Sequence, residues 1–310
     1  MKIFAFFAAM MFMLMTPAQA QSSNTIDSAY TLAAAAGESA EKFFASLPQA
    51  SGDYQSNRRP ILIEGALNTE IEILVRALKN PVVYRELNWL FVAGTYGNYP
   101  VVVARTEQGI ANAAASTALA IAKFKPVAVI NQGTSGGHDS ALKVGDIVVG
   151  ASSFESSAYK TPYVPKGANI NLTAQELLGT YAYDETARAF RPHKEFFADP
   201  TLFNMAFAAA NSHGGFNVVS GKIATSDIWL NDINQINFLH EKYGSSCEEM
   251  ETNAAAQICH TANVPFLGIR VISNNITVSD EYSVESATTV QNFVLLVAEH
   301  YIRNILKACQ

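Results

Sequence analysis

The chain has 310 residues, 49% hydrophobic and 15% charged, with 18 Gly and 11 Pro. That length buries a substantial core, and the balance excludes disordered, collagenous and coiled-coil chains. The net charge of −6 comes without a Lys/Arg stripe, which argues against nucleic acid or a membrane surface as partner.

Residues 1–20 read as a secretory signal peptide: Lys2, an apolar run from Ile3 to Met15, then Thr16-Pro17-Ala18-Gln19-Ala20. The run is shorter than the roughly 20 apolar residues a spanning helix needs. The mature chain would start at Gln21 and be exported. Three cysteines, Cys247, Cys259 and Cys309, allow at most one internal disulfide and lack metal-ligand spacing. Export with so few cysteines fits a periplasm better than a disulfide-stapled extracellular module.

Residues 21–58 form a Ser/Ala-rich extension, with a surface helix expected over 28–47 and a polar connector over 51–59. The main domain is expected over 59–310. Ile61-Leu62-Ile63 is a short strand ending at Glu64-Gly65. Thr69 to Lys79 carries Ile71, Leu74, Val75 and Leu78 at helical spacing. Trp89–Ala93 and Pro100–Ala104 read as a hairpin, Gly109–Phe124 as an Ala-rich helix, and 127–130 as a strand covered on both faces.

The stretch 152–199 lacks clear periodicity and reads as a long insertion of the kind that shapes a pocket. Further strands are expected at 146–149, 218–224 and 266–272, and helices at 199–212, 232–243, 249–262 and 285–308. Alternating strands and helices imply a single-domain, three-layer α/β/α sandwich with a central mixed β-sheet.

Four polar spots fall at carboxyl ends of these strands, where open α/β sheets bind ligands. Asn131-Gln-Gly-Thr-Ser-Gly-Gly137 lets backbone approach a ligand closely. Glu248-Glu249-Met250-Glu251-Thr252 opens a helix with more carboxylates than its dipole requires, and one of them suits a vicinal diol. Arg270 lies inside an apolar strand that ends in Ser273-Asn274-Asn275, and needs a carboxylate partner such as Glu249 or Glu251. Glu70 lies in the first turn after Glu64-Gly65. His138 and His260 read as structural or exposed rather than catalytic, and no zinc site, dinucleotide fingerprint or Walker loop is present.

Taken together, Val129–Gly137 with Leu142–Val149, and Glu249-Met-Glu251 with Cys259-His260, Asn263–Phe266 and Arg270–Ser273, resemble the nucleoside phosphorylase-I superfamily. Within it, the chain is most similar to methylthioadenosine/S-adenosylhomocysteine nucleosidases, over roughly residues 60–308. The resemblance implies that Glu70 activates the attacking water and that Glu251 holds the ribose 2′ and 3′ hydroxyls over Met250. It implies that Trp229 stacks on the purine, that backbone near Leu230 reads its edge, and that Thr134 and Gly136 adjoin the sugar and nucleophile. It also implies a homodimer and a purine nucleoside as ligand, with no cofactor and no metal.

One position departs from the family pattern. Ser273-Asn274 replaces a Ser-Asp pair whose Asp protonates purine N7, and Asn cannot act as a general acid. A general acid typically contributes about 10² to 10⁴-fold. The substitution favours 6-oxopurines, or a slower enzyme. Asn131 stands where phosphorylases typically place an Arg, and Arg105 is the one residue that revives a phosphate site. Hydrolysis is therefore the leading expectation, with phosphorolysis and a catalytically weak nucleoside-binding or storage protein as alternatives.

Overall fold

The computed structural model describes residues 38–184, 187–278 and 282–308. The signal peptide, Cys309 and residues 28–37 of the expected N-terminal helix lie outside them.

Strand β1 (Ile61–Gly65) runs into helix α1 (Asn68–Ala77). Next come β2 (Lys79–Glu86), β3 (Trp89–Tyr96) and β4 (Tyr99–Arg105), then α2 (Ile110–Phe124), β5 (Ala128–Gly137) and β6 (Ile147–Glu155). The β3–β4 hairpin turns at Gly97-Asn98, both with positive φ (55° and 62°), as a two-residue turn between twisted strands requires. Five short strands follow: β7 (Tyr159–Lys160), β8 (Glu176–Leu177), β9 (Thr180–Asp184), β10 (Ala189–His193) and β11 (Phe196–Phe197). The chain ends with α3 (Pro200–His213), β12 (Val218–Thr225), α4 (Ile233–Tyr243), β13 (Ser245–Glu249), α5 (Thr252–Thr261), β14 (Phe266–Asn274) and α6 (Ser286–Ala308). Asp199 and Asp232 cap α3 and α4 by accepting first-turn backbone N–H groups.

Ten of these strands form one mixed sheet, while β7 with β8 and β9 with β10 make two separate ribbons. β1 pairs in parallel with β4 and β5, and β4, β3 and β2 continue antiparallel to the edge. β14 joins β5 to β6, while β12 and β13 join the same two strands by the other route, so β5, β14, β6, β12 and β13 close into a ring. Alternation along β1 sorts its side chains to two cores. Ile61 and Ile63 pack with Leu74 of α1, Leu202 of α3 and Phe293 of α6, whereas Leu62 packs with Phe124 of α2 and Ala255 of α5. Helices thus cover both faces, as the α/β pattern implies. Ala40 and Phe44, in a helical segment at 38–46, are wholly buried in the first core.

Several local expectations need correction. Strand β2 was not expected; it contains Pro81, and at the sheet edge a proline is tolerated because no partner needs its N–H. The first helix ends at Ala77, not Lys79. The glycine-rich run 131–137 is not a turn but the outer half of β5, paired with β14 and β13. Glu248 and Glu249 close strand β13, and the helix expected from 249 starts at Thr252. In the insertion, β6 runs on to Glu155, and the rest forms small ribbons and the edge strand β11. Cys247 and Cys259 are buried free thiols.

Candidate active site

A cavity of about 570 Å³ opens where β1, β5, β13 and β14 end, large enough for a drug-sized ligand. It is lined by Glu70, Thr134, Gly136, Trp229, Glu249, Met250, Glu251, Ser273 and Asn274 among others. Nothing from 152–199 lines it among the described residues, contrary to expectation. Glu38 and Glu41 of the N-terminal segment do so instead.

Glu70 is 5% exposed and sits in the first turn of α1. Its Oε2 accepts the backbone N–H groups of Ala66 (3.0 Å) and Leu67 (3.2 Å). Its Oε1 accepts Thr134 N–H (2.9 Å) and the Thr134 hydroxyl (3.1 Å). A Cβ at Gly133 would lie 2.8 Å from Glu70 Oε1, so only glycine lets this carboxylate rest on β5. Thr134 thus meets Glu70 directly.

Glu251 caps no backbone of its own helix; its Oε1 accepts Gly109 N–H (3.0 Å) at the start of α2. Burial pushes its carboxyl above the usual carboxylate range, and the neighbouring Glu249 charge adds to the push. Glu249 behaves in the opposite way. Burial would raise it too, but the Arg270 guanidinium beside it holds it low. Glu249 Oε2 accepts the N–H groups of Glu251 (2.9 Å) and Thr252 (2.8 Å) and so anchors the start of α5. Met250, between the two acids, lines the cavity floor, where Gln108 Nε2 lies 2.9 Å from its sulfur.

Arg270 is buried beneath this pair. Its Nη2 bonds Glu249 and donates to Asn131 Oδ1 (2.6 Å), with Glu251 Oε2 at 3.7 Å. Asn131 donates in turn to Glu64 Oε2 (3.1 Å), and Thr117 donates to Glu64 Oε1 (2.9 Å). Burial raises Glu64 to about 7, against the lowering by those hydrogen bonds. In the sequence Glu64 reads only as the end of a strand. An acid inside a run of buried aliphatics was the signal for this layer.

At the far end, Ser273 Oγ lies 3.0 Å from Asn274 Oδ1, which turns the amide nitrogen of Asn274 toward Gly136. Trp229 is 39% exposed, and its ring centroid is 6.4 Å from that of Tyr282, giving the cavity an aromatic wall. Leu230 does not line the cavity; its side chain packs against the small cluster of Phe154, Ala224 and Leu239. His260 is exposed and His138 buried, and neither lines the cavity. Arg105, the one candidate phosphate ligand, bonds Glu41 (2.8 Å), Glu107 (2.9 Å) and Asn68 Oδ1 (2.8 Å). No group of three or more metal-ligating side chains occurs among the described residues.

Known proteins share this build. Residues 60–307 match the phosphorylase superfamily model. The 5′-methylthioadenosine/S-adenosylhomocysteine nucleosidase of Shewanella frigidimarina is 32% identical over 214 residues, 69% of this chain and 85% of that one. Its counterpart from Bacillus velezensis is 29% identical over 251 residues, 80% of this chain and 98% of that one. The crystal structure of the Neisseria meningitidis nucleosidase in complex with methylthio-immucillin-A superposes with a TM-score of 0.64 at 25% identity, covering 78% of this chain and 99% of that one. With a match across most of its length and a cavity at the strand ends the match includes, the chain belongs to the phosphorylase superfamily.

Proposed function

We propose that the protein is a nucleosidase that hydrolyses the N-ribosidic bond of purine nucleosides to free base and ribose or a 5′-substituted ribose. The observation that carries hydrolysis over phosphorolysis is the charge of the cavity. Glu38, Glu41, Glu70, Glu248, Glu249 and Glu251 line it, and no Lys or Arg does among the described residues. A phosphate dianion needs guanidinium or ammonium groups turned toward it. Arg105 and Arg270 are instead held by carboxylates.

In this reading the ribose 2′ and 3′ hydroxyls donate to Glu251, Met250 lies under the sugar, and Trp229 stacks on the base. Glu70, aligned by four donors, takes a proton from the water that attacks C1′. Rate comes from placing these groups where the oxocarbenium-like charge develops. The Asn274 amide donates to the purine, which favours 6-oxopurines. Export to a periplasm and assembly as a homodimer complete the proposal, on the leader at 1–20 and on the family resemblance respectively.

The test is free-base release by the mature protein from inosine, guanosine, adenosine and methylthioadenosine, with and without phosphate. Phosphate-independent release, fastest with the 6-oxopurines, is expected. Release that requires phosphate makes the protein a phosphorylase, and saturable binding without release makes it a binding protein.

A further inference from the structure

The base end of the cavity holds a carboxyl group to which the family pattern assigns no task. Glu248 of β13 pairs with Gly136 of β5 from one side, and Asn274 of β14 pairs with Gly136 from the other. A Cβ on Gly136 would lie 3.5 Å from Glu248 Oε1 and 3.8 Å from Asn274 Nδ2. The carboxyl and the amide therefore flank a single backbone position at the cavity wall. The backbone N–H of Leu230, in the segment expected to read the purine edge, acts on the Glu248 carboxyl and pulls it down.

The Glu248 side chain is 13% exposed. Its Oε2 is enclosed without a hydrogen-bond partner, and His138 Nε2, equally enclosed and unbonded, lies 3.4 Å away. His138 is fixed from its other side, with Nδ1 2.6 Å from Ser245 Oγ. That leaves Oε1 as the oxygen beside Gly136 and Asn274. Burial pushes the Glu248 carboxyl up, the Glu249 charge pushes the same way, and His138 and the Leu230 N–H pull against them. A carboxyl pushed up by burial and aimed along a cavity wall is suited to donate a proton.

We propose that Glu248 is the general acid for the departing purine, acting from the strand opposite Asn274, with His138 as its positioning residue. The inference rests on the nucleosidase reading above. As the C1′–N9 bond breaks, its electron pair moves into the base and the Glu248 proton passes to a purine acceptor atom. The water oxygen forms the new bond to C1′ and its proton goes to Glu70. Glu248 ends ionised and Glu70 protonated, and both reset through solvent when the products leave. Asn274 holds the base by its amide and transfers no proton.

The experiment compares Glu248→Gln with wild type on inosine and on 4-nitrophenyl riboside, whose leaving group departs as a stable anion without protonation. Inosine turnover is expected to fall about 10² to 10⁴-fold, and nitrophenyl riboside turnover by less than about threefold. Adding Asn274→Asp to Glu248→Gln is expected to restore inosine turnover at least about tenfold, because it returns a carboxylic acid to the other side of Gly136. Unchanged inosine turnover in Glu248→Gln, or an equal loss on both substrates, overturns the proposal. Wild-type protein that releases no base from any nucleoside fails earlier, at the nucleosidase reading, and takes this proposal with it.

Discussion

Arg270 Nε donates to Glu249 Oε2 at 3.1 Å, and Nη2 bonds the same oxygen, in an ion pair with side-chain exposures of 1% and 2%. Glu249 spends that oxygen on the N–H groups of Glu251 and Thr252 as well. The pair therefore sets the backbone of the residue expected to hold the sugar. Arg270 acts on Glu251 mainly through Glu249, since its own approach to Glu251 is 3.7 Å.

Arg270→Met leaves the Glu249 charge buried without its partner. Removing one partner of a buried pair costs about 3–5 kcal/mol, and urea unfolding is expected to register a loss of that size. The sugar affinity of the surviving protein should fall as well. Adding Glu249→Leu should recover most of the stability but not the affinity. Wild-type turnover and affinity in Arg270→Met would remove the positioning role.

Glu251→Gln removes a charged acceptor from the sugar site. Hydrogen bonds to charged groups are worth about 1.5–3 kcal/mol, so KM should rise about 10- to 100-fold with a smaller effect on kcat. Burial and Glu249 hold Glu251 partly protonated near neutrality, and a diol that donates two hydrogen bonds favours the ionised form. KM in the wild type should therefore fall as pH rises above neutrality, and Glu251→Gln should flatten that dependence. Parallel pH profiles for the two proteins would contradict this.

Glu70→Gln removes the base and gives up the hydrogen bonds accepted by one of its two oxygens. Turnover should drop about 10² to 10⁴-fold while nucleoside binding, measured by calorimetry, stays near wild type. A large loss of binding with turnover intact would assign Glu70 to substrate contact alone.

Glu64 gives the fold a pH signature. Its carboxyl is raised from 4.5 to about 7 in the folded chain, so the folded state keeps its proton after the unfolded chain has lost it. The sign follows: stability is full below the unfolded value and declines as pH rises from about 4.5 to about 7, by about 3 kcal/mol from this group. Glu64→Gln should flatten that decline in urea unfolding followed across the same window. An identical slope in both proteins would show that Glu64 titrates normally.

That Glu70, Thr134, Glu251 and Asn274 share one cavity follows from their places at or just beyond the ends of strands in a recognisable order. Local pattern also disclosed β1 and helices α2, α3 and α6 to within a residue or two, and the β3–β4 hairpin with β3 three residues short. Apolar periodicity reports one face at a time, so it misses elements whose identity depends on their neighbours. β2 carries no clear strand pattern around Pro81 until an edge of the sheet accepts it, and Glu248-Glu249 reads as a helix start until β5 and β12 pair with β13.

The sequence by itself determined the α/β class, the order of the polar clusters and the residue types available at each. It also puts Asn274 where the family resemblance expects an acid. Tertiary structure alone decided the pairings: Arg270 to Glu249, Arg105 to Glu41 and Glu107, and Glu248 to the far side of Gly136 from Asn274. The physical reason is that a carboxylate's role depends on its burial and on the charges a few ångströms away. Those neighbours come from strands and helices far apart in the chain, and only the closed sheet brings them together.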